Sequence, residues 1–163
     1  MKRTIHRKQF LPYPTAQVWE ALTDHNMLGK WFMENDIQPV VGHEFTFRME
    51  PQKGWDGITY CTITDIDENK KIAYTYQGYA SGEKTLACAG IHSELADSAA
   101  KGIFAELDTL LEFSLEPTCG GTILKMEQSG YKGLKMVIVS FVMGMGWKKQ
   151  LGRKLPSVLE KMV

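Results

Sequence analysis

The sequence predicts a single-domain α+β protein: an antiparallel sheet of six to seven strands whose concave face is covered by one long C-terminal helix, with two short helices after the first strand. Three observations carry this reading. Several middle segments alternate apolar and polar residues with the period of two that a half-buried strand requires. Short turn-forming stretches such as Asp67-Glu68-Asn69 and Pro117-Thr118-Cys119-Gly120-Gly121 separate neighbouring segments, so successive strands pair as hairpins. Near the chain's end the apolar residues recur at intervals of three and four instead, which is one face of an α-helix. A length of 163 residues suits one domain, spanning 1–163, that buries about two-thirds of its unfolded surface.

The elements follow in order. TIHRKQFL is a first strand, ended by Pro12 and Pro14. Thr15 is placed to cap AQVWEALTD, whose Val18, Trp19 and Leu22 share a helical face; His25 and Asn26 interrupt the pattern, and Leu28, Trp31 and Phe32 mark a second short turn. In HEFTFRME, Phe45, Phe47 and Met49 face one way and Glu44, Thr46, Arg48 and Glu50 the other. GITYCTITDID and KKIAYTYQ form a hairpin with Ile72, Tyr74 and Tyr76 on one face, and DTLLEFSLE and GTILKMEQ form another, with Leu111, Phe113 and Leu115 opposed to Leu124 and Met126.

The closing helix starts between Lys132 and Leu134. Trp147, Leu151, Leu155, Val158, Leu159 and Met162 form its apolar stripe, which reaches back through Met143, Ser140 and Met136. Its first half, MVIVSFVMGMGW, is apolar on several sides, too short for a bilayer crossing of about 20 residues. It is not a dinucleotide turn either: Lys149 stands where the third glycine belongs. Gly144 and Gly146 each cost roughly 1 kcal/mol against alanine in a helix, and so imply a bend or a close backbone approach.

Composition excludes other classes. With 44% hydrophobic and 23% charged residues the chain is not disordered, and 19 basic against 19 acidic residues leave no net field for nucleic acid or an anionic membrane. The clusters Lys2, Arg3, Arg7, Lys8 and Lys148, Lys149, Arg153, Lys154 read as solvated faces. Three dispersed cysteines, Cys61, Cys88 and Cys119, suggest neither a disulfide framework nor a closed zinc site. MKRTIHRKQF lacks the apolar core of a secretory signal, so a reducing cytoplasm is the expected location.

PYPTAQVWEALTDHNMLGKWF, TDIDENKKIAYTY, LEPTCGGTILKMEQSGY and GWKKQLGRKL resemble, in the right order, the signatures of the activator-of-heat-shock-protein-90-ATPase-like family. The resemblance implies the helix-grip fold of START-like and birch-pollen-allergen-like proteins, in which a curved sheet wraps a long C-terminal helix and encloses a cavity. The chain departs from the family at about 78–107, where an insertion replaces a tight hairpin. Connections of that length tend to be lids or binding elements. SELADSAAK within it reads as a short helix capped by Ser93. The insertion is expected to pack over Ile138, Phe141, Val142 and Met145 of the terminal helix, or over the cavity mouth; the alternative is a homodimer through the same residues or the insertion.

Chemistry is harder to place. There is no GxSxG elbow, and His6, His25, His43 and His92 are scattered. Cys88, His92 and Glu94 could share a metal but lack a visible second shell, and Asp65 and Asp67 read as solvated turn residues. No catalytic group, metal or cofactor is expected. The cavity candidates are Trp31, Phe45, Phe47, Tyr60, Tyr74, Tyr76, Phe113, Met126, Met143 and Trp147. Tyrosines with methionine walls suit a small lipophilic molecule with one or two polar handles, held by a non-catalytic carrier or sensor. A protein-interaction module, as the family name implies, and a cyclase- or hydrolase-type enzyme, as related helix-grip folds imply, are the alternatives.

Overall fold

The computed structural model describes residues 1–50, 57–78 and 107–162. Seven strands form one antiparallel sheet in the order β1-β7-β6-β5-β4-β3-β2. They are β1 (Lys2–Leu11), β2 (Glu34–Asn35), β3 (Glu44–Arg48), β4 (Ile58–Asp67), β5 (Lys71–Gln77), β6 (Asp108–Thr118) and β7 (Gly121–Lys132). The expected hairpins are present, and their registers place Ile72 opposite Phe113 and Phe113 opposite Met126, so the large apolar side chains stack across neighbouring strands. β1 pairs with β7, which brings the first and last strands together at one sheet edge. The two-residue β2 had no periodic signal in the sequence; it is fixed by pairing Glu34 and Asn35 with Arg48 and Phe47.

Two helices follow β1: α1 (Thr15–Thr23) and α2 (His25–Trp31). Both of their starts correct the sequence reading. Thr15 does not cap α1; it is the first helical residue, and its hydroxyl meets that of Thr122 on β7 at 3.1 Å. His25 and Asn26 do not break the pattern but begin α2, because Asp24 accepts from the backbone N–H of Asn26 and Met27 through one carboxylate oxygen.

Gly133, at φ +85, turns the chain out of β7 into the terminal helix. That helix comprises α3 (Leu134–Lys149), a π-helical turn (Gln150–Lys154) and α4 (Leu155–Lys161). The wide turn has a cause in the stripe. Trp147, Leu151, Leu155 and Leu159, all at most 2% exposed, are spaced by four every time. In an ideal α-helix each step of four overshoots a full turn by about 40°, so three steps would rotate the stripe by about 120°. A single wider turn absorbs the overshoot and keeps all four residues on the sheet.

The helix lies over the inner faces of β1 and β7, and α1 anchors its far end through Gln17 Nε2, which donates to the Leu159 carbonyl at 2.8 Å. Arg3 and Arg7 therefore do not form a solvated face. Arg3 donates to Ser140 Oγ at 2.7 Å and lies 3.9 Å above the Phe141 ring; Arg7 donates to the Gly144 carbonyl through Nη2 at 2.8 Å and Nε at 3.2 Å. A Cβ on Gly144 would stand 3.0 Å from Arg7 Nη2, so this glycine marks a close approach. The outer side of α3 leaves Leu134, Ile138, Phe141, Val142 and Met145 exposed. The insertion expected to cover them lies, apart from Gly78 and Leu107, outside the described residues, as do Cys88, Ser93, His92 and Glu94.

Candidate functional site

The sheet's inner face is mostly filled, and it is filled by aromatic rings. Phe45 meets Phe47 and Tyr74 edge-on at 5.4 and 5.1 Å, Tyr74 lies 6.4 Å from Phe113, and Phe113 meets the Trp147 indole edge-on at 5.9 Å. All five are at most 4% exposed. Five of the ten residues expected to line a cavity, Phe45, Phe47, Tyr74, Phe113 and Met126, are thus packed into the core among one another and their neighbours. Trp31 is also a core residue, its indole N–H donating to the Ala21 carbonyl at 2.8 Å to tie α1 to α2. Tyr60 is a correction. Its neighbours Thr59 and Cys61 are buried on the inner face, so Tyr60, opposite Thr46, sits half-buried on the other face of the sheet.

A hollow of about 450 Å³ remains at one end, between the C-terminal end of α2, the ends of β3 and β5, the start of β4 and the helix from Met143 to Lys154. Of the expected residues, Tyr76, Met143 and Trp147 line it. The structure adds Phe32, Met33 and Met49 to the apolar wall, with Thr59, Gln150, Arg48, Glu34 and Lys154 as polar members. Phe32 stacks on Trp147 with centroids 4.9 Å apart and 20° between planes, giving the hollow a flat aromatic floor. Gly146 borders it from the helix side, and a Cβ there would meet nothing within 4 Å. Missing side-chain bulk at this one helical position therefore helps to open the space.

The polar groups are placed with care for their partners. Trp147 Nε1 donates to Gln128 Oε1 at 2.8 Å, Gln128 Nε2 to Thr109 Oγ1 at 3.0 Å, and Thr109 Oγ1 to the Tyr76 carbonyl at 2.9 Å. This buried chain holds the indole in one orientation at the edge of the hollow. Burial pushes the Tyr76 phenol well up from its usual range, and burial does the same to Tyr74 and Tyr131. Near neutral pH the Tyr76 phenol, hydrogen-bonded with the Thr59 side chain, is a proton-bearing group and not a base. Gln150 Oε1, at the first residue of the π turn, is buried without a hydrogen-bond partner among the described residues, and so is the Tyr131 hydroxyl.

Metal chemistry finds no foothold among the described residues, where no three His, Cys, Asp or Glu side chains come close enough to hold an ion. Glu34 is the carboxylate of the described wall, and it is exposed at the mouth. A second concavity between α2 and α4, floored by Met27, Val158 and Met162 and rimmed by Lys30, Arg153, Lys154 and Lys161, lies outside the sheet's grip. No helix of the described residues is long and apolar enough to cross a membrane.

A curved antiparallel sheet holding a long C-terminal helix, with a small-molecule-sized hollow at one end of the grip, defines a helix-grip protein. The chain belongs to the family described as activator of Hsp90 ATPase homolog 1-like protein, whose model matches residues 12–160. Among solved structures it is similar to protein MLL2253 from Mesorhizobium loti, at 29% identity over 99% of both chains with a TM-score of 0.76. Protein BH1534 from Bacillus halodurans is 22% identical over 98% of this chain and 99% of its own, with a TM-score of 0.68. Protein SSP2350 from Staphylococcus saprophyticus is 18% identical over 99% of this chain and 94% of its own, with a TM-score of 0.66. The last two likenesses speak to the fold alone. No curated protein matches the chain.

The sequence missed Phe32, Met33, Gln150, Arg48 and Lys154 as wall residues. Their signal was present in part. Gly146 sits two residues from another helical glycine, and the unbroken spacing of four from Trp147 to Leu159 announces the wide turn that starts at Gln150. Met49 follows the alternation that puts it on the face of Phe45 and Phe47, whereas Arg48, hydrogen-bonded to Thr46 on the opposite face, borders the hollow only because it ends the strand.

Proposed function

We propose that the chain binds a small lipophilic molecule in the hollow between α2, β3 and the terminal helix, as a non-catalytic carrier or sensor. The observation that carries this is the wall itself: Phe32, Met33, Met143 and Trp147 enclose about 450 Å³ at a position where the helix presents a glycine instead of a side chain. Small-molecule sites commonly occupy about 300–1,000 Å³ and combine apolar walls with a few convergent polar groups. Catalysis by a desolvated acid or base has less support, because the wall's carboxylate is solvent-facing and its buried titratable group is a protonated phenol. The test is a titration with Nile red, a neutral polarity-sensitive dye, together with native mass spectrometry of the purified protein. Saturable binding at one site per chain is expected; a protein that carries no guest and leaves the dye unbound overturns the reading.

A homodimer is the second reading. Leu134, Ile138, Phe141 and Met145, spaced four, three and four apart and all exposed, have the seam spacing of paired helices. Sedimentation velocity decides it: a monomer at high concentration removes it, and a dimer abolished by Ile138→Glu supports it.

A further inference from the structure

The second concavity, between α2 and α4, gathers charge of one sign. It measures about 720 Å³ and is rimmed by four cations, Lys30 from α2 and Arg153, Lys154 and Lys161 from the closing helix. Its described lining holds no acidic side chain: Asp24 caps α2 through one carboxylate oxygen, and Glu160 falls outside the lining. Lys154 also borders the hollow, where Glu34 offsets it, which leaves Lys30, Arg153 and Lys161 to the concavity. None of the four is in an ion pair among the described residues. Lys30 Nζ lies 4.0 Å from Met27 Sδ, which puts its ammonium over the apolar floor. That floor, Met27, Val158 and Met162, is half-buried, whereas the cations are exposed. Arg153, Ser157 and Lys161 recur every four residues beside Lys154, Val158 and Met162, so both rows face α2. In a chain whose 19 basic and 19 acidic residues balance, this concentration is local, and a partner of opposite charge relieves the repulsion within it.

We propose that this concavity docks a short acidic segment of a partner protein, with an apolar side chain seated on Met27, Val158 and Met162 and flanking carboxylates against Lys30, Arg153 and Lys161. The Arg153 guanidinium offers a carboxylate two parallel N–H donors, and the lysines act as point charges on either side. α4 has seven residues and is about 10 Å long at 1.5 Å per residue, a span that roughly three or four extended residues cover. A lipid surface fits less well, because an interfacial anchor buries protruding apolar side chains and these are recessed below the cations. A nucleic acid fits less well too, since the described lining has no aromatic ring on which a base could stack. The proposal is independent of the hollow and its guest.

The experiment follows the fluorescence anisotropy of a fluorescein-labelled peptide, EDDLLDDE, at low and moderate salt, beside EDDSSDDE and KKKLLKKK with the same label. The leucine peptide is expected to bind saturably at one site per chain, to be displaced by its unlabelled form, and to weaken as salt rises. The serine peptide should bind about tenfold or more weakly and the lysine peptide not at all. Lys30→Gln combined with Lys161→Gln, one cation from each helix, should weaken the leucine peptide by about tenfold or more. Lys2→Gln combined with Lys132→Gln removes the same charge where β1 and β7 pair, beside the start of the terminal helix, and should change the affinity by less than about threefold. All four residues are exposed, and an unchanged circular dichroism spectrum and melting temperature verify the fold. Equal losses from the two pairs overturn the proposal, since the attraction would then be diffuse. Equal affinity for the leucine and serine peptides overturns the apolar seat and the proposal with it. So does a parent protein that ignores the peptides yet sediments with phosphatidylglycerol vesicles, because the surface would then meet lipid.

Discussion

Gly146→Leu puts a four-carbon side chain where the structure offers open space. Beyond its chain neighbours and the helix's own backbone, no atom of the described residues lies within 4 Å of the new Cβ, so no packed neighbour has to move to admit it. Replacing a helical glycine by leucine gains about 0.5–1 kcal/mol of helix propensity. Full burial of a leucine would add about 1.5–3 kcal/mol, of which roughly half applies to a wall position that faces a hollow. Lost rotamer freedom takes back about 0.5–1 kcal/mol. The net expectation is a protein more stable by about 0.5–2 kcal/mol, a rise of a few degrees in melting temperature at this size. Its affinity for Nile red should meanwhile fall by tenfold or more, because the side chain occupies the floor beside Trp147.

Gly144→Ala is the matched control, two residues earlier in the same helix. There the new Cβ stands 3.0 Å from Arg7 Nη2 and displaces the guanidinium from the Gly144 carbonyl. The propensity gain is then offset by lost charge-assisted hydrogen bonds of about 1.5–3 kcal/mol, giving a neutral to destabilised protein with dye binding intact. Urea unfolding followed by circular dichroism measures the first quantity and fluorescence titration the second. A Gly146→Leu protein that binds the dye as the parent does refutes the placement of the guest. One destabilised by more than about 1 kcal/mol refutes the open wall.

Four further outcomes are expected. Trp147→Phe and Gln128→Leu should each cost about 1–3 kcal/mol, and the double variant less than their sum; additivity within about 0.5 kcal/mol would mean the indole–amide bond is absent. Tyr131→Phe removes a buried hydroxyl without a partner and should stabilise the protein by about 1 kcal/mol in urea unfolding, a loss of stability being the contrary result. In a Cys88→Ser background, a thiol reagent at neutral pH should label exposed Cys119 rapidly and Cys61 only on unfolding, since burial and the nearby Asp36 charge push the Cys61 thiol up. The alkaline limb of stability follows from Tyr74, Tyr76 and Tyr131, all raised in the folded state. Below about pH 10 the phenols are protonated folded and unfolded alike and their contribution is complete. Above it the unfolded chain binds fewer protons, so stability should fall by up to roughly 1.4 kcal/mol per pH unit for each group, as urea midpoints from pH 8 to 11 will register.

The strands and the long helix were legible because each buries one face, and burial of one face writes a period into the residues: two in Phe45 and Phe47 or Leu111, Phe113 and Leu115, and three to four in the terminal helix. The partner of each hairpin strand was legible from short turns. Contacts between distant segments left no such trace. Arg3 and Arg7 look like solvent-facing charges in a basic N-terminal segment, and only the pairing of β1 with β7 carries them beneath the helix to Ser140 and Gly144. The candidate cavity was half legible for the same reason. Periodicity says that an aromatic residue faces inward; it does not say whether it meets another ring or empty space. Phe45, Phe47, Tyr74 and Phe113 meet rings, whereas Tyr76, Met143 and Trp147 border the hollow, and that division depends on where a helix without a side chain at Gly146 crosses the end of a sheet. Local pattern thus set which faces are buried; the meeting of segments distant in sequence, up to the 137 positions between Arg3 and Ser140, set what each buried face touches.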